Sequence, residues 1–364
     1  MNLKTILLDR QNGLTQSRVI LAFFVLFDHH LAVFNVSRPQ FYNTPIPLSS
    51  FAVYMFIFMS GLLCFESRYR HTTSKFLLNR FARIFPGYFA CLLISAIVFI
   101  PLMIFISNNS FFLDLAQFKL LVSSSFEYLY KNIAFTQNLY MPSSLNIDLN
   151  IGAINGSLWT LQPEIVGYVL IAIMFPLFIL IPRMVLVVLI SFCVLVFSDP
   201  SKAQLLLQPI LRGYGFEIST ESHLHLGLYL LSGIVYSLFS RKIIVSKLIF
   251  SLVFLLTVLF STLNPHLALI SSPIFLPYLF ICFCWFFRWP WGVKADYSFG
   301  VYLYSFPIQQ IFFLMQKHNY LSISYTTSFA LVIASSFVMG IISFNCFETP
   351  GRRLVLSLAS RVKS

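Results

Sequence analysis

Long apolar runs, separated by short polar segments rich in Lys and Arg, set the pattern of this chain. A bilayer core of about 30 Å needs roughly 20 apolar residues in a helix. Runs of about that length recur at 18–34, 48–65, 86–107, 157–181, 184–198, 223–239, 248–263, 268–287, 298–315 and 326–346. The pattern predicts an all-α, polytopic integral membrane helical bundle of about ten transmembrane helices. The fourth and fifth runs meet at a tight Pro182-Arg183 turn, and Pro86 is placed to open the third as a first-turn proline. The stretch FFLDLAQFKLLVSSSFEYLYKNIAF at 111–135 alternates differently. Its amphipathic spacing predicts a helix lying on the outer interface rather than crossing. No internal repeat and no matched pair of Gly/Pro-broken spans emerges, as an inverted-repeat transporter would show.

Composition agrees with this pattern. Of 364 residues, 58% are hydrophobic and 10% charged, more apolar surface than a soluble fold of this size can bury. The net charge of +12 suggests nucleic acid only in a soluble domain. Here it reads as the excess of Lys and Arg that marks cytoplasmic loops. With the N-terminus inside, inner segments carry eighteen of the 24 Lys and Arg, so both termini are expected in the cytoplasm. Residues 1–364 are expected to form a single membrane domain with no cleaved leader and no soluble extracytoplasmic domain. The six cysteines all lie in apolar runs, without a disulfide framework. Cys282 and Cys284 point to different faces of a helix, so no metal site is expected.

The first run holds SRVILAFFVLFDHHLAVF, with Asp28, His29 and His30 inside apolar sequence. Arg18 and His29 are eleven residues apart, three turns plus about 20°, so they share one face some 16 Å apart. An ionisable group at the bilayer centre costs about 2.5–3.5 kcal/mol and persists where it faces protein or water. Histidine suits proton transfer near neutral pH, and a carboxylate can orient or charge-stabilise an imidazole. Adjacent helix positions diverge by 100°, so the partner of Asp28 is expected on another helix. A satisfied polar network gluing helices together would use the same residues.

Other polar marks follow in order. Arg80 and Arg83, three apart in RFARIFP, share a helix face and suit bidentate phosphate contacts or plain anchoring at the inner surface. Glu164 lies about two turns into the fourth run behind the interfacial Trp159. Tyr302 and Ser305 mark the ninth run as core contacts or substrate lining. Glu348 is placed to pair with Arg352 at i,i+4. His223 and His225 open the sixth run.

Taken together these residues resemble the acyltransferase family 3 of integral membrane proteins, which acylate cell-surface glycans. The first span carries Arg18, ten residues, then His29; FMSGLL follows with Ser60 and Gly61; RFARIFP carries Arg80 and Arg83. SLWTLQPE carries Trp159 and Glu164, YSFGVYLYS the late-span tyrosines, and FETPGRR closes with Glu348, Pro350 and Arg352. Ser305 stands where family members often have a histidine. The resemblance implies an O-acyltransferase in the bacterial cytoplasmic (inner) membrane. Its donor substrate would be acetyl-CoA or another acyl-CoA, with no permanently bound cofactor. Its acceptor would be a hydroxyl of a surface or lipid-linked glycan such as O-antigen or capsule. Membrane lipids are the other partners implied, and nucleic acid is not one. Asp28, His29 and Glu164 become the expected catalytic residues. Arg18, Arg80 and Arg83 are expected to hold the coenzyme A phosphates, and Trp159, Tyr302 and Ser305 to line the substrate site. Whether His29 or His30 reacts, and whether as base or as acylated nucleophile, stays open at this point. So does a permease using the same polar helix as a substrate or proton path, or a non-catalytic partner in glycan export.

Overall fold

A computed structural model describes residues 1–9, 11–39, 46–108, 114–135, 149–212, 221–288 and 295–361. All regular structure among them is helical: α1 Leu3–Leu8, α2 Leu14–Val33, α3 Leu48–Arg70, α4 Thr73–Ile94, α5 Ile100–Asn108, α6 Leu115–Asn132, α7 Leu161–Leu180, α8 Pro182–Ser198, α9 Pro200–Arg212, α10 Glu221–Leu238, α11 Lys247–Leu263, α12 Pro265–Phe286, α13 Ser298–Lys317, α14 Tyr325–Ile342 and α15 Thr349–Arg361. Short π-helical turns, Ser95–Phe99 and Ser343–Glu348, link α4 to α5 and α14 to α15, and a 3₁₀ turn, Gly156–Thr160, leads into α7. Each of the ten apolar runs lies largely within helix. Among the described residues six helical stretches are long and apolar enough to cross a membrane: Leu14–Val33, Leu48–Arg70, Thr73–Asn108, Gly156–Leu180, Pro265–Phe286 and Tyr325–Ser360.

Several boundaries differ from the sequence pattern. The third helical stretch begins at Thr73, so Pro86 sits inside α4 rather than at its start; apolar hydropathy marks the lipid-facing part of a helix, not its end. Helices α14 and α15 continue through a π turn to Arg361, well past the apolar run. Across that turn Glu348 accepts a hydrogen bond from Ser343 Oγ at 2.7 Å, the i,i+5 spacing that a π turn brings together, and the ion pairs of the described residues do not include the expected one with Arg352. The amphipathic stretch is helical as α6, opened by an Asp114–Gln117 capping box; residues 111–113 fall outside the described set. One face of α6 exposes Leu115, Phe118, Val122 and Phe126, while Ser124, Tyr128 and Asn132 are buried.

The chain divides into two compact units. The first comprises Met1–Leu21, Gln40–Leu77 and Pro163–Lys294. Its centre is the pairing of α3 with α10, allowed by two glycines: a Cβ on Gly61 would lie 3.1 Å from Gly233 Cα, the small-residue approach that packs apolar helices without a hydrophobic driving force. Helix α12 carries Pro273 and Pro277, each of which frees the carbonyl four residues back. Both carbonyls are answered. Ser272 Oγ donates to Leu269 O at 2.8 Å, and Ser232 Oγ of α10 donates to Pro273 O at 2.5 Å. Such repair is obligatory where no water reaches the backbone.

The second unit comprises Ala22–Pro39, Leu78–Gln162 and Ala295–Ser364. Helix α13 runs through it with Val301, Leu303, Tyr304, Ser305, Gln309 and Leu314 fully buried. It packs on α14 where a Cβ on Gly300 would lie 2.8 Å from Gly340 Cα. Pro307 in α13 frees Leu303 O, and Asn155 Nδ2 donates to that oxygen at 2.8 Å. The proline thus ties the segment before the 3₁₀ turn to α13. Gln310 Nε2 adds bonds to Ile151 O at 2.7 Å and Ala153 O at 3.0 Å.

Candidate functional site

The Asp28-His29-His30 triplet lies in the part of α2 that belongs to the second unit, one turn or so before the helix ends at Val33. Four residues of rise put His29 only about 6 Å from that end. The end itself is fixed from two sides. Asn150 Nδ2 donates to the C-terminal carbonyl Val33 O at 2.8 Å, and Asn35, with φ 56, turns the chain in the left-handed region that Asn tolerates better than most residues. The turn is closed by Val36 N donating to Leu31 O at 2.8 Å.

That turn brings Arg38 back to Asp28. The carboxylate is fully buried, and Arg38 Nη1 lies 3.5 Å from Asp28 Oδ2, its side chain 46% exposed. The partner expected on another helix is therefore supplied by the extended residues that follow α2. Nothing in helical spacing links positions across a turn, so this pairing is not legible in the sequence.

The two histidines have different surroundings. His30 is completely buried, with Phe34, Tyr325 and Phe329 at ring-centroid distances of 4.4, 5.0 and 4.9 Å. Among the described residues neither of its ring nitrogens has a hydrogen-bond partner. His29 keeps partial exposure. The Phe306 ring meets the His29 imidazole edge-on, 5.3 Å between centroids at 86°. Gln309, one turn from Ser305 on α13, donates through Nε2 to Leu26 O at 2.7 Å and fastens α2 to α13 three residues before His29.

Further along α13, Tyr302 Oη donates to Ser157 O at 2.7 Å and shares a 2.6 Å hydrogen bond with Thr160 Oγ1. These partners flank Trp159 in the sequence, so Tyr302 is bonded to the 3₁₀ turn that carries Trp159. Ser305 is fully buried, and among the described residues its Oγ finds no hydrogen-bond partner. On α4, Arg83 Nη2 lies 3.6 Å from Asp296 Oδ2, and Arg80 is partly buried on the same helix. Gly87, one turn beyond Arg83, is pressed by Glu348 and Phe299: a Cβ there would be 2.9 Å from Glu348 Cγ. The inner-loop motif and the closing FETPGRR motif are thus packed together.

Arg18 and Glu164 belong to the first unit. Arg18 is partly buried near the start of α2. Glu164, in the first turn of α7, accepts from Ser60 Oγ at 2.7 Å and from Tyr168 Oη. Two residues singled out separately in the sequence, Ser60 and Glu164, therefore form one hydrogen-bonded pair. In the same unit His225 Nδ1 is 3.0 Å from Tyr54 Oη, and its ring stacks on Phe197 at 4.9 Å. Among the described residues no three of His, Cys, Asp and Glu gather as a metal set.

Arg38, Phe306, Gln309, Asn150 and Asn155 were missed in the sequence. Only Gln309 carried a signal, as an amide inside an apolar run; the others act through turns and contacts that spacing does not encode.

No curated protein and no solved structure matches the chain. The family model described as an acyltransferase domain matches residues 11–344. That span takes in the helix of His29, the two arginines of α4, the Trp159–Glu164 turn and α13, and with a match over nearly its whole length this helical membrane protein belongs to the acyltransferase family 3.

Proposed function

We propose that this acyltransferase moves an acyl group, acetyl or another, from cytoplasmic acyl-CoA to a hydroxyl of a cell-surface or lipid-linked glycan. We place it in a bacterial inner membrane, with about ten spans and both termini inside. The observation that carries the reading is the contrast within the triplet. A group that exchanges protons with a substrate needs access: the His29 residue is partly exposed, with Nδ1 buried and without a hydrogen-bond partner among the described residues, while His30 has no exposed surface and sits among aromatic rings.

In this scheme Arg80 and Arg83 hold coenzyme A phosphates as guanidinium–phosphate contacts, and Arg18 is a further arginine suited to such a contact. Arg83 would exchange its Asp296 partner, 3.6 Å away, for phosphate oxygens. His29 takes the proton of the acceptor hydroxyl as its oxygen attacks the thioester carbonyl. The carbon–sulfur bond breaks as the carbon–oxygen ester bond forms, and the proton passes from His29 to the departing thiolate. In the two-step variant the neutral imidazole nitrogen attacks the thioester carbonyl and expels coenzyme A as thiolate; the acceptor oxygen then attacks the acyl carbon, the nitrogen–carbon bond breaks, and the hydroxyl proton passes to the thiolate. Asp28, held by Arg38, supplies a fixed negative charge beside the imidazolium formed in either route. Tyr302, Trp159 and Ser305 line the acceptor side, and Glu164, fastened by Ser60 and Tyr168, is the further carboxylate given a catalytic role.

The test is transfer of labelled acetyl from acetyl-CoA to glycan in membranes, comparing wild type, His29→Ala and the Arg80→Ala/Arg83→Ala double variant at matched expression. The expected result is loss of 10²–10⁴-fold for the histidine variant, the usual span for one acid–base group, and a raised KM for the arginine pair. Near-normal transfer by folded His29→Ala would sink the scheme. Substrate flux in proteoliposomes without release of coenzyme A would replace it by transport.

A further inference from the structure

We infer that Phe306 is the wall that limits the acyl chain handled at His29, so that the protein takes short acyl groups and refuses longer ones. This rests on the reading that His29 works on the acyl group.

The ring of Phe306 is 2% exposed and stands edge-on to the imidazole at 5.3 Å between centroids. A carbonyl carbon at or beside an imidazole nitrogen therefore has this ring as a close neighbour, and an acyl chain that lengthens toward Phe306 meets it. The wall cannot step back. Behind it lies Gly156, so close that a Cβ on that glycine would sit 2.8 Å from the Phe306 ring. Val33 and Ala153 complete the same apolar cluster, both buried, with Phe34, Ile151 and Phe313 packed around it. The backbone beneath is equally fixed. The next residue is Pro307, and the carbonyl it frees is held by Asn155 at 2.8 Å. Close-packed interiors resist even one extra methylene, so a side chain held on three sides measures length rather than adapting to it. The neighbouring residues of the cluster are apolar, which suits the alkyl part of an acyl group and leaves charged acyl groups without a partner on this side.

One methylene in a hydrophobic pocket changes kcat/KM by roughly 10–200-fold. The experiment measures kcat/KM with acetyl-, butyryl- and hexanoyl-CoA in membranes, reading both free coenzyme A thiol and label in the extracted glycan. Wild type is expected to favour acetyl over butyryl and hexanoyl. Phe306→Leu and Phe306→Ala are expected to raise the butyryl-to-acetyl ratio by at least 10-fold. The ratio is internal to each protein sample, so a poorly expressed variant still reports. The smaller Phe306→Leu change keeps the test alive if Phe306→Ala does not fold. An unchanged ratio in a variant that still transfers acetyl overturns the inference and leaves the acyltransfer reading standing. A wild type that prefers hexanoyl overturns it as well. A wild type that consumes no acyl-CoA of any length removes the underlying reading and this inference with it.

Discussion

Arg38 lies outside the helix that carries the triplet, yet removing it should cripple transfer. The perturbation is Arg38→Ala, which strips the guanidinium from a carboxylate with no exposed surface. At 3.5 Å, Coulomb's law with an effective dielectric of about 20 gives an attraction near 5 kcal/mol. The guanidinium is 46% exposed, so solvent screens part of this. Breaking one side of a buried pair costs about 3–5 kcal/mol in other proteins; with the screening we take about 2–3 kcal/mol. If that loss appears in full as poorer stabilisation of charge at His29, transfer slows by about 30- to 150-fold. The assay is the initial rate of acetyl transfer against acetyl-CoA concentration, with detergent-solubilised protein checked by size exclusion and thermal unfolding. The fall is expected in kcat, with KM for acetyl-CoA little changed, because Arg38 pairs with Asp28 and is not one of the arginines proposed to hold the phosphates. Arg38→Lys should recover much of the loss by restoring the charge. A folded Arg38→Ala protein with the wild-type rate would refute the argument, and so would a loss confined to KM.

Other expectations follow from the same geometry. His30→Phe keeps the ring inside its aromatic surround and removes two buried nitrogens without partners among the described residues. It should leave thermal stability equal or higher and transfer within about tenfold of wild type; a loss as deep as that of His29→Ala would assign the chemistry to His30. Ser60→Ala and Tyr168→Phe each remove one donor to Glu164, and a lost hydrogen bond to a charged group is worth about 1.5–3 kcal/mol. The double variant should behave like Glu164→Gln in transfer assays, and full activity in the double variant would separate Glu164 from its partners. Asn155→Leu leaves the carbonyl opposite Pro307 without its amide donor and should lower the unfolding free energy by about 1–3 kcal/mol; unchanged thermal stability would show that the carbonyl is satisfied otherwise.

The sequence by itself determined the class of this protein. Apolar runs of bilayer length and very few charges leave only helices, since each backbone group must be satisfied within its own segment. It also marked the residues whose chemistry is out of place in hydrocarbon, the triplet, Glu164 and the arginine pair Arg80 and Arg83, because their cost demands a reason. Helical spacing placed Arg80 and Arg83 on one face of what is indeed a single helix, α4.

Periodicity stops being informative wherever the chain turns or the helix changes pitch. A left-handed residue at Asn35 decides that Arg38 reaches Asp28. A π turn decides that Glu348 bonds to Ser343. Prolines 273, 277 and 307 look in the sequence like helix breakers, yet each stays inside a helix because a serine or asparagine answers the freed carbonyl, two of the three from another part of the chain. The two histidines are adjacent and identical in kind, and only packing separates them. One points among Phe34, Tyr325 and Phe329, and the other against the edge of Phe306 with part of its surface still open. Tertiary structure made those choices because burial, carbonyl repair and ring contact depend on which helices meet, and that information is distributed over the whole chain rather than carried by any local pattern.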